Sequence, residues 1–209
     1  MTVGIIGTVE QLALIASSIT PHVHSVTMAT IIENDTPYYD LLIDFSTESN
    51  SDRIAFLHTK TKLLLINNVT TLVAHEYDNV LRFTGWHTLC NSKNLEISIP
   101  NNNNGSYMLI LQKLGIPYTI VPYTIGHITP KVVSMIINEA YYTLGDGVSN
   151  AHDIDVAMQL GTGYPYGPIA WGNLIGLPLI HQLLQALSVT DARYTPAPAL
   201  TAATILLSV

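Results

Sequence analysis

The sequence predicts an α/β domain with a mostly parallel β-sheet, followed by an all-α helical domain. Over residues 1–122, short apolar runs alternate with helix-like segments, which is the pattern of consecutive βα units. Pro117, Pro122 and Pro130 crowd the next stretch, and beyond them only helical patterns occur. We therefore predict a domain boundary at residues 122–123, with the helical domain continuing to the end of the sequence.

The first domain is predicted to open with a strand, a glycine and a helix. The apolar run Thr2–Ile6 meets Gly7, and apolar side chains then recur with helical spacing up to Ile19. Val23–Ala29 predicts a second strand. Later runs predict strands at residues 38–44, 62–66, 80–85, 95–99 and 118–121, with helices at 51–58, 71–77 and 107–114. Because continuous apolar runs indicate strands buried on both faces, this order predicts a mostly parallel sheet.

The strand–glycine–helix start is typical of dinucleotide-binding units, in which glycines bring the backbone close to a pyrophosphate at the helix N-terminus. The candidate cofactor contacts are therefore Gly7, Thr8 and Val9. The full glycine motif is absent, because Val9 and Leu12 stand at its second and third glycine positions. Ala29 ends the second strand, where an acidic residue would bind a ribose hydroxyl. The turn thus indicates a structural βα unit more strongly than NAD binding, and we expect the Val9 side chain to occupy space that a pyrophosphate needs.

The second domain is predicted to contain helices throughout. Lys131–Leu144 carries apolar side chains on one face and is followed by Gly145. Asn150 is placed to cap the next helix, with Asp153 in its first turn. Two further helices are predicted at residues 168–175 and 179–187. The apolar tail from Leu200 onward is expected to be a docked helix or an interface segment.

Composition and charge narrow the possible functions. Fifteen acidic and eight basic residues give a net charge of −7, which argues against nucleic acid as a partner. The single cysteine, Cys90, excludes an internal disulfide and suits a reducing compartment. The sequence shows no signal-peptide pattern and no apolar run of about 20 residues, so we expect a soluble, cytoplasmic protein that does not bind membranes. The scattered histidines lack the spacing of a zinc site, so no metal is expected.

The stretch Asp153–Leu177 carries, in order, Asp-Ile-Asp, Ala-Met, Leu-Gly, a Gly-Tyr-Pro turn, Gly-Pro and Ile-Gly-Leu. Its composition alone favours a turn between two helices. The literal sequence resembles the C-terminal helical domain of the L-3-hydroxyacyl-CoA dehydrogenase family, and Asn138–Ala140 extends the likeness upstream. The resemblance covers roughly residues 126–200. It departs at Asn173 and Pro178, which replace aspartates of the family.

The resemblance implies a Rossmann-like first domain, NAD or NADP as cofactor, and a homodimer formed through the helical domain. It further implies an oxidoreductase of fatty acid metabolism. Such an enzyme oxidises the 3-hydroxyl group of an acyl-CoA or of a related 3-hydroxy acid.

The segment Gly85–Asn91 is similar to the family's Gly-Leu-His-Phe-Phe-Asn-Pro motif. This similarity implies that His87 is the catalytic base, that Glu96 orients it, and that Asn91 contacts substrate. Imidazole suits a general base that works near neutral pH. The alternative, a hydrogen-bonded structural histidine beside a strand, is equally open at this point.

The segment Asn67–Thr71 follows a strand and resembles the family's Ser-Asn-Thr-Ser-Ser, which implies that Thr70 and Asn68 bind substrate. An asparagine pair at a strand end is also typical of a simple turn. Downstream, Ile125–Lys131 is similar to Pro-Gly-Phe-Ile-Val-Asn-Arg of the family, but Pro130 replaces the asparagine that helps to bind substrate.

Two hypotheses from different classes follow. The first is an NAD(P)-dependent oxidoreductase that resembles 3-hydroxyacyl-CoA dehydrogenase. The second is a non-catalytic dimeric relative that kept the fold and lost cofactor binding, because Val9, Leu12, Ala29 and Pro130 all replace cofactor or substrate contacts. A third option is an enzyme that acts on another 3-hydroxy acid and uses a ligand that needs no pyrophosphate site.

Overall fold

The computed structural model describes residues 1–16, 23–25, 38–46, 51–72, 77–90, 94–100 and 107–207. Contacts divide the chain into two compact units, Met1–His127 and Ile128–Val209. The observed division lies a few residues beyond the predicted boundary at residues 122–123. Some predictions fall partly outside the described ranges, namely the end of the first helix, the end of the second strand and most of the helix at residues 71–77.

The first unit contains a mostly parallel sheet. Its described strands are β1 (Val3–Ile6), β2 (Val23–Ser25), β3 (Leu41–Asp44), β4 (Leu64–Asn67), β5 (Val80–Phe83), β6 (Leu95–Ser98) and β7 (Tyr118–Val121). They form one seven-stranded sheet in the order β2-β1-β3-β4-β5-β6-β7. The strands from β2 to β5 run parallel, β6 is antiparallel to β5, and β7 is parallel to β6. The predicted α/β fold class is confirmed.

Helices cover both faces of this sheet. They are α1 (Val9–Ala16), α2 (Ser51–Leu57), which continues into a short 3-10 turn (His58–Lys60), and α3 (Met108–Leu114). On one face, Leu65 of β4 belongs to a cluster with Ile15 of α1 and Leu111 of α3. On the other face, Ile66 belongs to a cluster with Ile54 of α2. Full burial of each such side chain contributes roughly 1.5–3 kcal/mol, which explains why the central strands are apolar on both sides.

Where β5 pairs with β6, the second face of the sheet becomes polar. The antiparallel register places Arg82 opposite Ser98. Just beyond the end of β5, the Thr84 amide donates to the Glu96 carbonyl at 3.1 Å. All four side chains are buried. Because buried polar groups are costly unless they are hydrogen-bonded, these residues must satisfy one another or nearby loops.

The second unit is all-α, as predicted. Its helices are α4 (Ile128–Gly145), α5 (Ala151–Thr162), α6 (Pro168–Ile175), α7 (Leu177–Ser188) and α8 (Pro198–Leu206), with a 3-10 turn at Ala192–Tyr194. The Asn150 side chain accepts a hydrogen bond from the Asp153 amide at 3.0 Å, which confirms the predicted cap. The apolar tail forms α8, in which Leu200 is fully buried. None of the helices in the described ranges is long and apolar enough to cross a membrane.

The joint between α5 and α6 depends on Asp155. Its carboxylate accepts hydrogen bonds from the amides of Ile169 at 2.7 Å and Ala170 at 3.0 Å, in the first turn of α6. A Cβ atom on Gly167 would stand 2.2 Å from the Asp155 Cβ, so only glycine fits beside the aspartate. Pro168 then begins α6, at a position where a helix needs no N–H. The Asp-Ile-Asp and Gly-Pro segments of the sequence are therefore two halves of one helix cap.

A second polar joint ties α4 to the segment before α8. Asn138 donates from Nδ2 to the Thr195 carbonyl at 2.9 Å and accepts at Oδ1 from the Ala197 amide at 2.8 Å. Asn138 is almost fully buried. The Asn138 side-chain amide therefore supplies hydrogen-bond partners to two backbone groups, which an apolar side chain could not do.

Candidate functional site

The ends of β1 and β5 border one cavity beside α1. Because these strands are parallel members of the same sheet, their carboxyl ends lie at the same edge, where open α/β sheets bind ligands. The cavity has a volume of about 790 Å³ and is lined by Thr8, Glu10, Gln11, Ala13, Leu14, Gly85, Trp86, His87 and Cys90. The sequence-predicted cofactor residue Thr8 and the predicted base His87 therefore line the same space.

Asn67 sets the position from which the His87 turn begins. The Gly85 amide donates to Asn67 Oδ1 at 2.8 Å, and Asn67 Nδ2 donates to the Phe45 carbonyl at 3.3 Å. A Cβ atom on Gly85 would stand 2.7 Å from the Asn67 side chain, so glycine is required for this close approach. Asn67 thus joins the ends of β3, β4 and β5.

His87 is presented outward by a tight turn. The amides of Leu89 and Cys90 donate to the Trp86 carbonyl at 3.0 and 2.8 Å, and Trp86 itself is buried. Thr88 adopts a left-handed backbone conformation with φ of 66°, which costs a β-branched residue of order 1–3 kcal/mol. His87, inside this turn, is exposed to the cavity. Strained turns of this kind cluster at ligand sites, which makes the turn a candidate functional element.

Two other cavity residues have shifted pKa values. A hydrogen bond from the Thr8 side chain, helped by a backbone hydrogen bond and by the nearby His87, lowers the pKa of the Glu10 carboxyl. Glu10 is therefore ionised at neutral pH and lies close enough to His87 for their charges to interact. Burial raises the pKa of the Cys90 thiol to about 12, so this sulfur is neutral and a poor nucleophile.

Glu96, the predicted orienting residue, lies on β6 in a buried polar network. The Thr84 hydroxyl donates to Glu96 Oε2 at 3.4 Å and lies 2.8 Å from His127 Nδ1. His127 Nε2 lies 3.1 Å from Ser98 Oγ. The Thr84 hydroxyl thus lies between the Glu96 carboxyl group and His127, and the direction of each hydrogen bond follows the His127 tautomer.

Sequence reasoning missed the role of His127. It stands where the similar family segment has a phenylalanine, and it is 1% exposed, with both ring nitrogens in contact with the buried hydroxyls of Thr84 and Ser98. A histidine in an otherwise apolar segment was the available signal. The role of Glu96 in orienting His87 remains a prediction. In the structure, the Thr84 hydroxyl links Glu96 to a different histidine, His127.

Asn68 and Thr70, the predicted substrate contacts, are both buried in the loop after β4. The Asn68 side chain accepts hydrogen bonds from the amide and hydroxyl of Thr71 at 3.3 and 3.1 Å, which is the turn alternative considered above. Asn91 lies outside the described residues.

Arg82 is a buried cation that holds this loop in place. Its guanidinium donates to the carbonyls of Asn68 and Thr124 at 3.0 Å each, and it lies over the Tyr123 ring with 5.1 Å to the centroid. Burial lowers the Arg82 pKa to about 10, and Tyr123 acts in the opposite direction. Arg82 thereby links the loop after β4 to the loop after β7. Sequence reasoning did not identify it.

The turn at the start of α1 is a reciprocal capping box. The Thr8 amide donates to Gln11 Oε1 at 2.8 Å, and the Gln11 amide donates to Thr8 Oγ1 at 3.3 Å. Gln11 Oε1 stands 2.6 Å from the place of a Cβ on Gly7, whereas Val9 is 77% exposed. Gln11, which the sequence interpretation overlooked, therefore covers the glycine. In this arrangement the turn does not fit the diphosphate of a dinucleotide.

Comparison with known proteins matches the second unit by sequence. Residues 126–205 match the model of the family described as 3-hydroxyacyl-CoA dehydrogenase, C-terminal domain. A 3-hydroxyadipyl-CoA dehydrogenase of Escherichia coli (strain K12) is 47% identical over 73 residues, which is 34% of this chain and 15% of the relative. A 3-hydroxybutyryl-CoA dehydrogenase of Bradyrhizobium diazoefficiens is 40% identical over 75 residues, which is 35% of this chain and 26% of the relative. The matches thus span about a quarter or less of these curated relatives.

Comparison of structures covers nearly the whole chain. The crystal structure of (S)-3-hydroxybutyryl-CoA dehydrogenase from Ralstonia eutropha superimposes with a TM-score of 0.76 at 18% identity, covering 98% of this chain and 93% of that one. At this identity the match establishes the fold. The predicted resemblance to the family is confirmed by the sequence match of the second unit, and the predicted Rossmann-like plus helical fold is confirmed for the chain.

Proposed function

We propose that this chain, whose C-terminal region matches the 3-hydroxyacyl-CoA dehydrogenase family, is an oxidoreductase acting on the 3-hydroxyl group of an acyl-CoA or a related 3-hydroxy acid. The observation that carries the proposal is the position of His87, exposed in the cavity that the first βα turn also borders. The two curated relatives named above are dehydrogenases of 3-hydroxyacyl-CoA compounds. A hydroxyl group in the cavity would lie within reach of an imidazole that can accept its proton.

In this proposal, His87 is the general base. Glu10, whose carboxyl pKa is lowered by its hydrogen bond with Thr8, lines the same cavity as His87. The proposed roles of Glu96 as orienting residue, and of Thr70, Asn68 and Asn91 as substrate contacts, come from the family resemblance. Thr70 and Asn68 are buried, and the Asn68 carbonyl accepts a hydrogen bond from Arg82, so substrate contact with their side chains requires this loop to move.

The resemblance implies NAD or NADP as the electron acceptor. The closed capping box at α1 speaks against an ordinary diphosphate contact at Thr8. The identity of the electron acceptor is therefore the first part of the proposal to test. The resemblance also implies a cytoplasmic homodimer formed through the helical domain, which light scattering on the purified chain would detect as a doubled mass.

The full chain should be assayed for consumption of NADH, followed by its absorbance, with acetoacetyl-CoA as substrate. We expect turnover that falls by about 100-fold in His87→Gln, since general bases contribute that much or more. His152→Gln, an exposed histidine of the second unit, is the matched control and should keep wild-type turnover. The proposal fails if folded wild-type protein consumes no NADH or NADPH at millimolar concentration, or if His87→Gln is as active as the control.

The second candidate is a non-catalytic dimeric relative that kept the fold and lost cofactor binding. The specific observation in its favour is the α1 turn, in which Gln11 occupies the Thr8 amide and Glu10 adds a negative charge. A thermal-shift titration with NADH and with acetoacetyl-CoA separates the two candidates. Stabilisation by acetoacetyl-CoA without any response to NADH would favour the second.

A further inference from the structure

We infer that Gln11 and Glu10 together oppose the binding of a dinucleotide diphosphate at the N-terminus of α1. The inference rests on the proposed function in one respect, since the ligand concerned is the cofactor that the family resemblance implies. It assigns the loss of affinity to two named side chains, and it predicts that replacing them restores binding.

Gln11 competes for the backbone groups that a diphosphate would use. A helix N-terminus binds phosphate because its first amides have no partner within the helix. Here the Thr8 amide already donates to Gln11 Oε1 at 2.8 Å, and the Gln11 amide donates to Thr8 Oγ1 at 3.3 Å. A phosphate oxygen must break both parts of this capping box before it gains the same donors.

Gln11 also takes the space above the glycine. In a dinucleotide-binding turn the first glycine makes the tight turn and the second lets the backbone approach the pyrophosphate; Gly7 stands at the first of these positions. A Cβ on Gly7 would meet Gln11 Oε1 at 2.6 Å on one side and the Phe45 Cβ at 3.1 Å on the other. The space next to the Gly7 Cα is thus occupied by the Gln11 side chain and by Phe45.

Glu10 adds an electrostatic barrier. It lies in the first turn of α1 and lines the cavity, and the hydrogen bond from Thr8 lowers its carboxyl pKa. No lysine or arginine of the described residues lines this cavity, and His87 is the basic group nearest to Glu10 in the cavity wall. A diphosphate would therefore meet a carboxylate without a fixed positive charge to offset it.

The two contributions respond differently to salt. Repulsion between exposed charges weakens as the ionic strength rises, because the Debye length falls from about 10 Å at 0.1 M to about 3 Å at 1 M. Competition by Gln11 for the Thr8 amide is a matter of hydrogen bonding and space, so it should persist at high salt. The variants Glu10→Gln and Gln11→Ala can therefore be told apart.

NADH binding to the full chain should be measured by isothermal titration calorimetry at 0.05 M and 1 M salt. We expect wild-type binding at millimolar dissociation constants or weaker. Gln11→Ala should bind about tenfold more tightly at both salt concentrations, the value expected when an amide is freed for a charged acceptor. Glu10→Gln should bind several-fold more tightly at 0.05 M salt, with most of the gain lost at 1 M.

Matched controls are Gln185→Ala and Glu139→Gln, which make the same chemical changes at exposed helical positions of the second unit. Both should bind NADH like the wild type. Circular dichroism checks that each variant is folded; Glu10 is exposed, so its variant provides a test even if loss of the capping box destabilises Gln11→Ala.

The inference is overturned if the wild type binds NADH at micromolar concentration, or if the double variant that combines Glu10→Gln with Gln11→Ala binds no more tightly than the controls. Tight binding by the wild type together with NADH-dependent turnover would reject this inference and leave the proposed function standing. Tight binding by the double variant, with no turnover of acetoacetyl-CoA in any variant, would support this inference and reject the proposed function.

Discussion

Replacing Asp155 by alanine should destabilise the second unit through one identifiable joint. The carboxylate accepts from the amides of Ile169 and Ala170 at 2.7 and 3.0 Å, and it is the only side chain seen to cap α6 among the described residues. Loss of a helix cap costs about 0.5–2 kcal/mol, and loss of a negative charge at a helix N-terminus adds about 0.3–1 kcal/mol. We therefore expect Asp155→Ala to lower the free energy of unfolding by about 2 kcal/mol.

Urea denaturation followed by far-UV circular dichroism measures this change. Asp155→Asn keeps one acceptor oxygen and should lose about 1 kcal/mol, since a single hydrogen bond has that net value. Asp146→Ala is the control, because Asp146 is an exposed aspartate just beyond α4. The reasoning is refuted if Asp155→Ala shifts the free energy of unfolding by no more than Asp146→Ala does.

Three further variants test separate features. Gly167→Ala should cost more than 2 kcal/mol, because the new Cβ would stand 2.2 Å from the Asp155 Cβ and one helix must shift; a change in urea midpoint below that of Asp155→Asn would contradict this expectation. Ser134→Ala should leave stability within about 0.5 kcal/mol of wild type or raise it, because Ser134 Oγ is buried and has no hydrogen-bond partner among the described residues; a loss of stability greater than this would contradict the expectation. The Cys90 pKa is raised by burial from its ordinary value of 9.0 to about 12, so the folded state keeps the proton longer than the unfolded state. Stability should consequently fall as pH rises from 9 to 12, by at most about 1.4 kcal/mol per pH unit, and the fall attributable to this thiol should be absent in Cys90→Ala.

Most of the fold could be predicted because local patterns determine it. The strands of the first unit are continuous apolar runs, since most of them are buried on both faces, and each predicted strand has a counterpart in the described sheet. The helical unit likewise follows from apolar spacing, from the cap at Asn150 and from proline at the first position of α6.

The polar face of β5 and β6 could not be predicted in the same way. Arg82 on β5 and Thr84 just after it alternate with apolar residues, which is the pattern of a half-exposed strand. Instead, antiparallel pairing with β6 and the loop that carries His127 bury them together. Contacts between residues so distant in sequence depend on strand register, which a single sequence does not reveal. Gln11 is different, because Thr8 and Gln11 have the spacing of a capping box and could have been recognised locally.

The hydrogen bond from the Gly85 amide to Asn67 has a consequence for the order in which the first unit becomes native. Asn67 is held at the same time by the carbonyl of Phe45, so its side chain reaches its final position only when β3, β4 and β5 are already aligned. The turn that presents His87 should therefore be among the last parts of the sheet edge to form. Exchange of the Gly85 amide hydrogen requires its bond to Asn67 to open, so its exchange rate reports how often the turn that presents His87 opens at this sheet edge.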